Sequence, residues 1–222
     1  MNFRHEVKHE ISYPDMLILR HRLNAVAYPD PHAVGGKYFI RSLYFDNTAD
    51  KALREKIDGV NRREKFRIRY YNGNTSVIHL EKKSKIDSLG TKQSAPLTAA
   101  QAQSIVDGDT EWMNSSEHPL IRELYMKMCT QGIRPKTIVD YTREPFIFPA
   151  GNVRVTLDYD IRSGIRCTDF LNADCITVPV SEARILEVKW DGFLPDIIRD
   201  AVQLSNTREG AFSKYAVCRI YG

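Results

Sequence analysis

Five short stretches of this chain alternate charged with apolar residues. Successive strand side chains point to opposite faces, so residues i, i+2 and i+4 share one face. In 63–71 (REKFRIRYY), Lys65, Arg67 and Arg69 fall on one face and Phe66, Ile68 and Tyr70 on the other. In 78–83, Glu81 and Lys83 oppose Ile78, Leu80 and Lys82. In 153–160, Arg154, Thr156, Asp158 and Asp160 oppose Val153, Val155, Leu157 and Tyr159. In 185–189, Glu187 and Lys189 stand loosely against Ile185, Leu186 and Val188, and in 6–10, Glu6, Lys8 and Glu10 oppose Val7 and His9. A single strand of this kind is equally a solvated sheet face. Five in one chain, rich in arginine and with acids set against bases, point to a closed barrel. Its apolar faces would lie outward under helices, and its lumen would gather the charges.

The rest of the pattern fits an α+β chain dominated by antiparallel strands. Residues 4–11 and 37–45 read as strands, and Ser12 caps a helix over Pro14–Val26. Asn47–Ile57 reads as a short helix ended by Gly59. Asn72-Gly73 between the alternating runs 63–71 and 76–86 is a hairpin signal. Gly90 and Pro96 mark 87–97 as a loop, and helices are expected at 98–107, 118–130 and 195–204. Strands at 136–144, 152–162 and 183–190 complete the pattern. The 222 residues show no repeat or linker, so one domain over 1–222 is expected.

A net charge of +4 is too small for a broad nucleic-acid-binding face. Cys129, Cys167, Cys175 and Cys218 form no CxxC pair, which fits reduced thiols better than a zinc or disulfide framework. The N-terminus MNFRHEVKHE has no apolar core of a signal peptide, and no window approaches 18 uninterrupted apolar residues. A cytoplasmic protein without a direct membrane span is expected.

Charges inside a lumen persist only when paired or bound. The basic candidates are Lys8, Arg67, Arg69, Lys83, Arg143, Arg154, Lys189 and Lys214, against Glu6, Glu81, Asp158 and Glu187. The surplus is cationic, so the natural occupant is a polyanion. Arginine forks match phosphate oxygens, and lysine adds compact charge. The left-over carboxylates suit Mg²⁺ or Mn²⁺ held largely through phosphate and water. Lys92 stands between a contact at the lumen mouth and plain exposure. Lys65 reads as a solvated edge. Asp158 and Asp160 stand between structural pairing with barrel arginines and a role at the site.

The order of short motifs resembles the VTC domain, a polyphosphate polymerase-like branch of the triphosphate tunnel metalloenzymes. RHEVKHEI (4–11) is similar to the opening E-x-K strand and YFD (44–46) to a second-strand signature. FRIRYY (66–71) is similar to the R-x-R strand, and LEKK (80–83) to the strand after it. DYTREPF (140–146), VRVTLD (153–158), LEVKWDG (186–192) and FSKY (212–215) follow in the family's order. The resemblance implies an eight-stranded antiparallel tunnel with helices outside. It implies transfer of the γ-phosphoryl group of ATP or another nucleoside triphosphate to polyphosphate. Lys8, Arg67, Arg69, Lys83, Arg143, Arg154 and Lys214 would be catalytic. Tyr141, Lys189, Ser213 and Lys92 would bind substrate, and Glu187 with Glu6 would hold Mn²⁺ or Mg²⁺. A tripolyphosphate or nucleoside triphosphate hydrolase and a non-catalytic polyphosphate-binding module are the alternatives.

Two positions depart from the family. Arg4 stands where the hydrolase branch opens with a glutamate, which favours the polymerase-like branch. Ala211 stands where the polymerases carry a lysine two residues before the serine, which removes one chain-guiding charge. No SPX-like domain is expected.

Overall fold

The alternating segments do form strands. The computed structural model describes residues 4–86, 89–205 and 209–222. In chain order come β1 (His5–Ile11), α1 (Tyr13–Val26), β2 (Tyr28–Pro29), β3 (Tyr38–Asp46), α2 (Lys51–Ile57), β4 (Arg63–Tyr71), β5 (Asn74–Ile86) and β6 (Leu89–Leu97). Helices α3 (Ala99–Asp107) and α4 (Pro119–Gln131) precede β7 (Arg134–Phe148), β8 (Val153–Ser163), β9 (Val178–Ser181) and β10 (Arg184–Trp190). Helices α5 (Asp196–Val202) and α6 (Lys214–Ile220) end the order.

Local chemistry sets the boundaries. The Ser12 hydroxyl accepts from the Asp15 N–H at 3.2 Å, and the Asp15 carboxylate accepts from the Ser12 N–H at 3.1 Å. This capping box satisfies two N–H groups that the first turn of α1 leaves without helical partners. Between β4 and β5, Asn72 (φ 52°) and Gly73 (φ 70°) are both left-handed, the turn that matches strand twist in a two-residue hairpin.

The 87–97 segment is not a loop: β6 pairs antiparallel with β5 along its length, from Leu97 opposite Ile78 to Leu89 opposite Ile86. Residues 87 and 88 lie outside the described residues. Pro96 misled the reading, but β6 ends the strand order, and an edge strand tolerates a residue that cannot donate on both sides.

The chain groups into two compact units. The first comprises Met1–Phe39, Tyr141–Ile161 and Ser181–Ser213. Here β1 pairs antiparallel with β10, and β10 with β8. The apolar face carries Val155, Leu157, Leu186 and Val188. It is buried together with Leu19 and Leu23 of α1 and Ile198 of α5.

The second unit comprises Ile40–Asp140, Arg162–Val180 and Lys214–Gly222. Here β3, β4, β5 and β6 are successive antiparallel neighbours. Their apolar face, with Leu43, Phe66, Ile68, Ile78 and Leu80, is buried together with Ile105 of α3 and Leu120 and Leu124 of α4. Each fully buried Leu or Ile contributes roughly 1.5–3 kcal/mol, so covering these faces fixes which side of each strand carries charge.

The hydrogen-bonded order is β1-β10-β8-β7-β3-β4-β5-β6, with β2 on β7 and β9 on β8. The path has eight strands, as expected, but among the described residues no pairing joins β1 to β6. The expected closed barrel is therefore corrected to an open antiparallel order. Alternation dictates which face is charged; it does not dictate whether two edge strands meet. No helix among the described residues is long and apolar enough to cross a membrane.

Candidate functional site

In the second unit the face away from α3 and α4 is cationic. Lys65 of β4, Lys83 of β5 and Lys92 of β6 sit directly opposite one another in register. One step along the strands, Arg67 faces Glu81, and Tyr44 of β3 faces Arg67 from the other side. Arg69 faces Ser42. These five cations thus share a face with Glu81. Asp46, two residues beyond Tyr44, is occupied elsewhere: it accepts from the N–H groups of Ala52 (2.9 Å) and Leu53 (3.2 Å) at the start of α2 and from the Tyr215 hydroxyl (2.6 Å).

The contacts are tight. Arg67 Nε donates to Glu81 at 2.7 Å, and its Nη1 donates to the Tyr44 hydroxyl at 2.7 Å. Arg69 Nε donates to Ser42 Oγ at 3.0 Å and its Nη1 lies 3.9 Å from Glu81. Lys92 also pairs with Glu81. Arg67, Arg69 and Glu81 are all buried. Burial works to raise the Glu81 carboxyl, but Arg67, Arg69 and Lys92 hold it well below the usual carboxylate range. Tyr44 shows the same field. Its burial opposes ionisation, yet Arg67, Lys65 and Arg69 bring the phenol down to about 8.

In the first unit the charged face is balanced. Lys8 Nζ lies 2.5 Å from Glu6 and 3.3 Å from Glu187, and Lys189 Nζ lies 2.5 Å from Glu187 and 3.4 Å from Glu6. The four side chains form a ring of alternating sign across β1 and β10. Burial works to lower the Lys8 ammonium, but Glu187 and Glu6 more than offset it and raise it. Glu6 is lowered overall: burial and Glu187 push it up, and Lys189 and Lys8 pull it down further. Arg143 forks onto the fully buried Asp158 with two 2.6 Å bonds, and its guanidinium lies 5.5 Å from the Tyr141 ring centre. Arg154 donates to Asp30 at 2.9 Å.

The residues suit an ion brought with phosphate rather than a preformed cage. Among the described residues no cluster of three or more His, Cys, Asp or Glu is placed to hold a metal. Glu6 and Glu187 are close enough to raise each other's charge cost, which a shared cation would relieve. Thr156, opposite Glu187 on β8, is 2% exposed, and its hydroxyl has no partner within the described chain. One or two carboxylates plus phosphate oxygens and water are what Mg²⁺ accepts.

The structure therefore brings the expected residues into two groups. Arg67, Arg69, Lys83 and Lys92 share the cationic face of the second unit. Glu6, Lys8, Glu187 and Lys189 form the ring of the first, where Arg143 and Tyr141 stack and Arg154 pairs with Asp30. Ser213 is buried in the first unit, and Lys214 opens α6 in the second. Asp158 has the structural pairing that the sequence held open. Sequence reasoning missed Lys65, Tyr44 and Thr156. Lys65 shares parity with Arg67 and Arg69, and the structure places it beside them on the cationic face, opposite Lys83, rather than at a solvated edge.

A family model described as VTC domain matches residues 3–220. Among solved structures, the PH1819 protein from Pyrococcus horikoshii OT3 is 14% identical, with 90% of this chain and 84% of that chain covered and a TM-score of 0.44. A candidate adenylate cyclase from Bacillus halodurans is 14% identical, with 86% and 80% covered and a TM-score of 0.48. The PH1012 protein from Pyrococcus horikoshii OT3 is 11% identical, with 91% and 85% covered and a TM-score of 0.43. No curated protein matches the chain.

Proposed function

The chain belongs to the VTC domain family, and from that premise we propose that it is a polyphosphate polymerase-like phosphotransferase that uses ATP. The observation that carries the reading is the Lys65–Lys83–Lys92 row beside Arg67 and Arg69. Like charges directly opposite one another on a sheet are destabilising. Three lysines in register next to two buried arginines make sense on a face that holds a polyanion.

Phosphoryl transfer asks for positioning and charge neutralisation more than for covalent chemistry. Arg67 and Arg69 offer forks to non-bridging phosphate oxygens, while Lys65, Lys83 and Lys92 hold neighbouring phosphates. Tyr44 and Glu81 keep the Arg67 plane fixed, and Ser42 and Tyr71 that of Arg69. Within the first unit, Arg143, set by Asp158 and Tyr141, and Arg154 offer guanidinium groups to phosphate, and Lys8, Lys189 and Ser213 offer polar contacts; Lys214 offers one in the second unit. Glu187 with Glu6, beside the Thr156 hydroxyl, would hold Mn²⁺ or Mg²⁺, which supplies charge neutralisation at phosphate oxygens. In the reaction, a terminal phosphate oxygen of the acceptor bonds to the γ-phosphorus of ATP. The bond to the β-phosphate oxygen breaks and ADP leaves. The acceptor phosphate is the nucleophile, so no serine or cysteine nucleophile is needed.

Incubation with ATP and Mn²⁺, followed by gel and phosphorus NMR analysis, tests the proposal. Polyphosphate chains formed with matching ADP support it. Orthophosphate as the sole phosphate product indicates the hydrolase, and polyphosphate binding without turnover indicates the binding module.

A further inference from the structure

The segment between β8 and β9 carries two of the four cysteines. Cys167 and Cys175 stand eight residues apart in sequence, yet their Sγ atoms lie 2.8 Å from each other. A disulfide bond is about 2.05 Å, so the sulfurs are already most of the way to bonding distance. Both thiols are free and partly exposed.

The segment they bracket is anchored from below. Phe170, fully buried, packs in the core beneath β4, and its carbonyl accepts from the Tyr70 hydroxyl at 3.2 Å. Arg41, buried against Asp140 (2.9 Å), donates to the Asn172 carbonyl at 2.6 Å and reaches the Cys175 carbonyl at 3.5 Å. These contacts hold the backbone between the two cysteines and at Cys175, so the sulfurs meet without the segment having to rearrange. All of these residues belong to the second unit.

We propose that Cys167 and Cys175 are a redox pair that closes to an intrachain disulfide and locks the loop that Phe170 anchors in the core. With a small-molecule disulfide such as oxidised glutathione as oxidant, the Cys167 sulfur attacks one glutathione sulfur. The glutathione S–S bond breaks, and the first glutathione leaves as thiolate. The Cys175 sulfur then attacks Cys167 Sγ; the mixed disulfide breaks, the Cys167–Cys175 bond forms and the second glutathione leaves. The two thiol protons pass to the two leaving thiolates. Two protein thiols are oxidised and one glutathione disulfide is reduced. Burial and the neighbouring Cys167 push the Cys175 thiol up to about 12, which disfavours it as the first, bimolecular nucleophile, while its 2.8 Å distance from Cys167 Sγ serves the second, intramolecular attack.

The test uses the whole chain, equilibrated with oxidised glutathione, quenched by alkylation and digested with trypsin. Cleavage after Arg166 and Arg184 places both cysteines in the single peptide 167–184. The closed pair makes that peptide two hydrogens lighter and unalkylated. The oxidised protein should also melt about 5 °C higher than the reduced one, because a short loop is closed in the unfolded chain. The Cys175→Ser variant should show neither change. Alkylation of both thiols in excess oxidant, glutathione stalled on either one, a bond to Cys129, or a closed pair with unchanged melting would each overturn the proposal. None of these outcomes depends on phosphate binding or turnover.

Discussion

Glu81 on β5 lies directly opposite Arg67 on β4 and accepts its Nε at 2.7 Å, with both side chains buried. The same carboxylate also answers Lys92 and stands 3.9 Å from Arg69, so one acid organises three bases. Replacing it with the neutral isostere, Glu81→Gln, strands buried positive charge. We expect the ligand-free protein to lose roughly 3–5 kcal/mol, the range for breaking a buried pair, while tripolyphosphate affinity is kept or increased. Urea unfolding and calorimetry check the two halves. The Glu81 carboxyl is depressed in the folded state. Its stabilisation is therefore present above the unfolded carboxylate value of about 4.3 and is lost as pH falls through the lower folded value. The stability gap between wild type and variant should be constant near neutrality and close in acid.

If the face binds phosphate as proposed, Tyr44 makes that binding pH-dependent. Its phenol titrates at about 8, below its ordinary value, because Arg67, Lys65 and Arg69 favour the phenolate. Ionisation places a negative charge on the face proposed to hold phosphate, so affinity for tripolyphosphate should fall severalfold as pH rises through about 8. Linkage requires the reverse effect as well: bound tripolyphosphate should push the Tyr44 titration upward. Phenolate absorbance during a pH titration, with and without tripolyphosphate, reads this directly. In Tyr44→Phe the affinity should stay flat across the same range.

How much of this was legible in the sequence depends on what each residue's neighbours are. Arg67, Arg69, Glu81 and Lys83 could each be placed on the charged side of its own strand because β4 and β5 alternate, but their register could not be counted from the Asn-Gly turn, because the pairing shifts between Arg69 and Tyr71. In β10 the reading was looser, and Ile185 in fact shares the charged face, opposite Asp158. β6 was lost because Gly90 and Pro96 are turn residues everywhere except at an edge. Closure could not be read at all, since it depends on edges distant in sequence. The partner of Arg154, Asp30, lies 124 residues away in a short irregular stretch with no pattern to reveal it. The contact between Cys167 and Cys175 depends on how Phe170 and Arg41 seat the loop, which no local spacing encodes.

Glu187 separates two roles for an acid in this fold. It is paired with Lys8 and Lys189, so it already neutralises charge, and it faces the unpartnered Thr156 hydroxyl, which a hydrated ion would satisfy. For Glu187→Gln we expect Mn²⁺-dependent turnover to fall by about two orders of magnitude or more, while metal-free polyphosphate binding survives. Turnover at the wild-type rate would leave Glu187 with the structural role alone. The measurement is initial rate against Mn²⁺ concentration, with binding followed separately in chelator.

The central claim is that a phosphate chain is held on the face carrying Lys65, Arg67, Arg69, Lys83 and Lys92. The most direct measurement is the tripolyphosphate dissociation constant of wild type and of the Lys65→Ala/Lys83→Ala double variant, at one ionic strength set with chloride. These two lysines face each other across β4 and β5, so their removal relieves like-charge repulsion and spares the buried Arg67–Glu81 pair. The account predicts unfolding stability unchanged within about 0.5 kcal/mol or slightly raised. It predicts binding weakened by about a hundredfold or more, as two charge-assisted contacts are lost. A folded double variant that binds tripolyphosphate as tightly as wild type would contradict it.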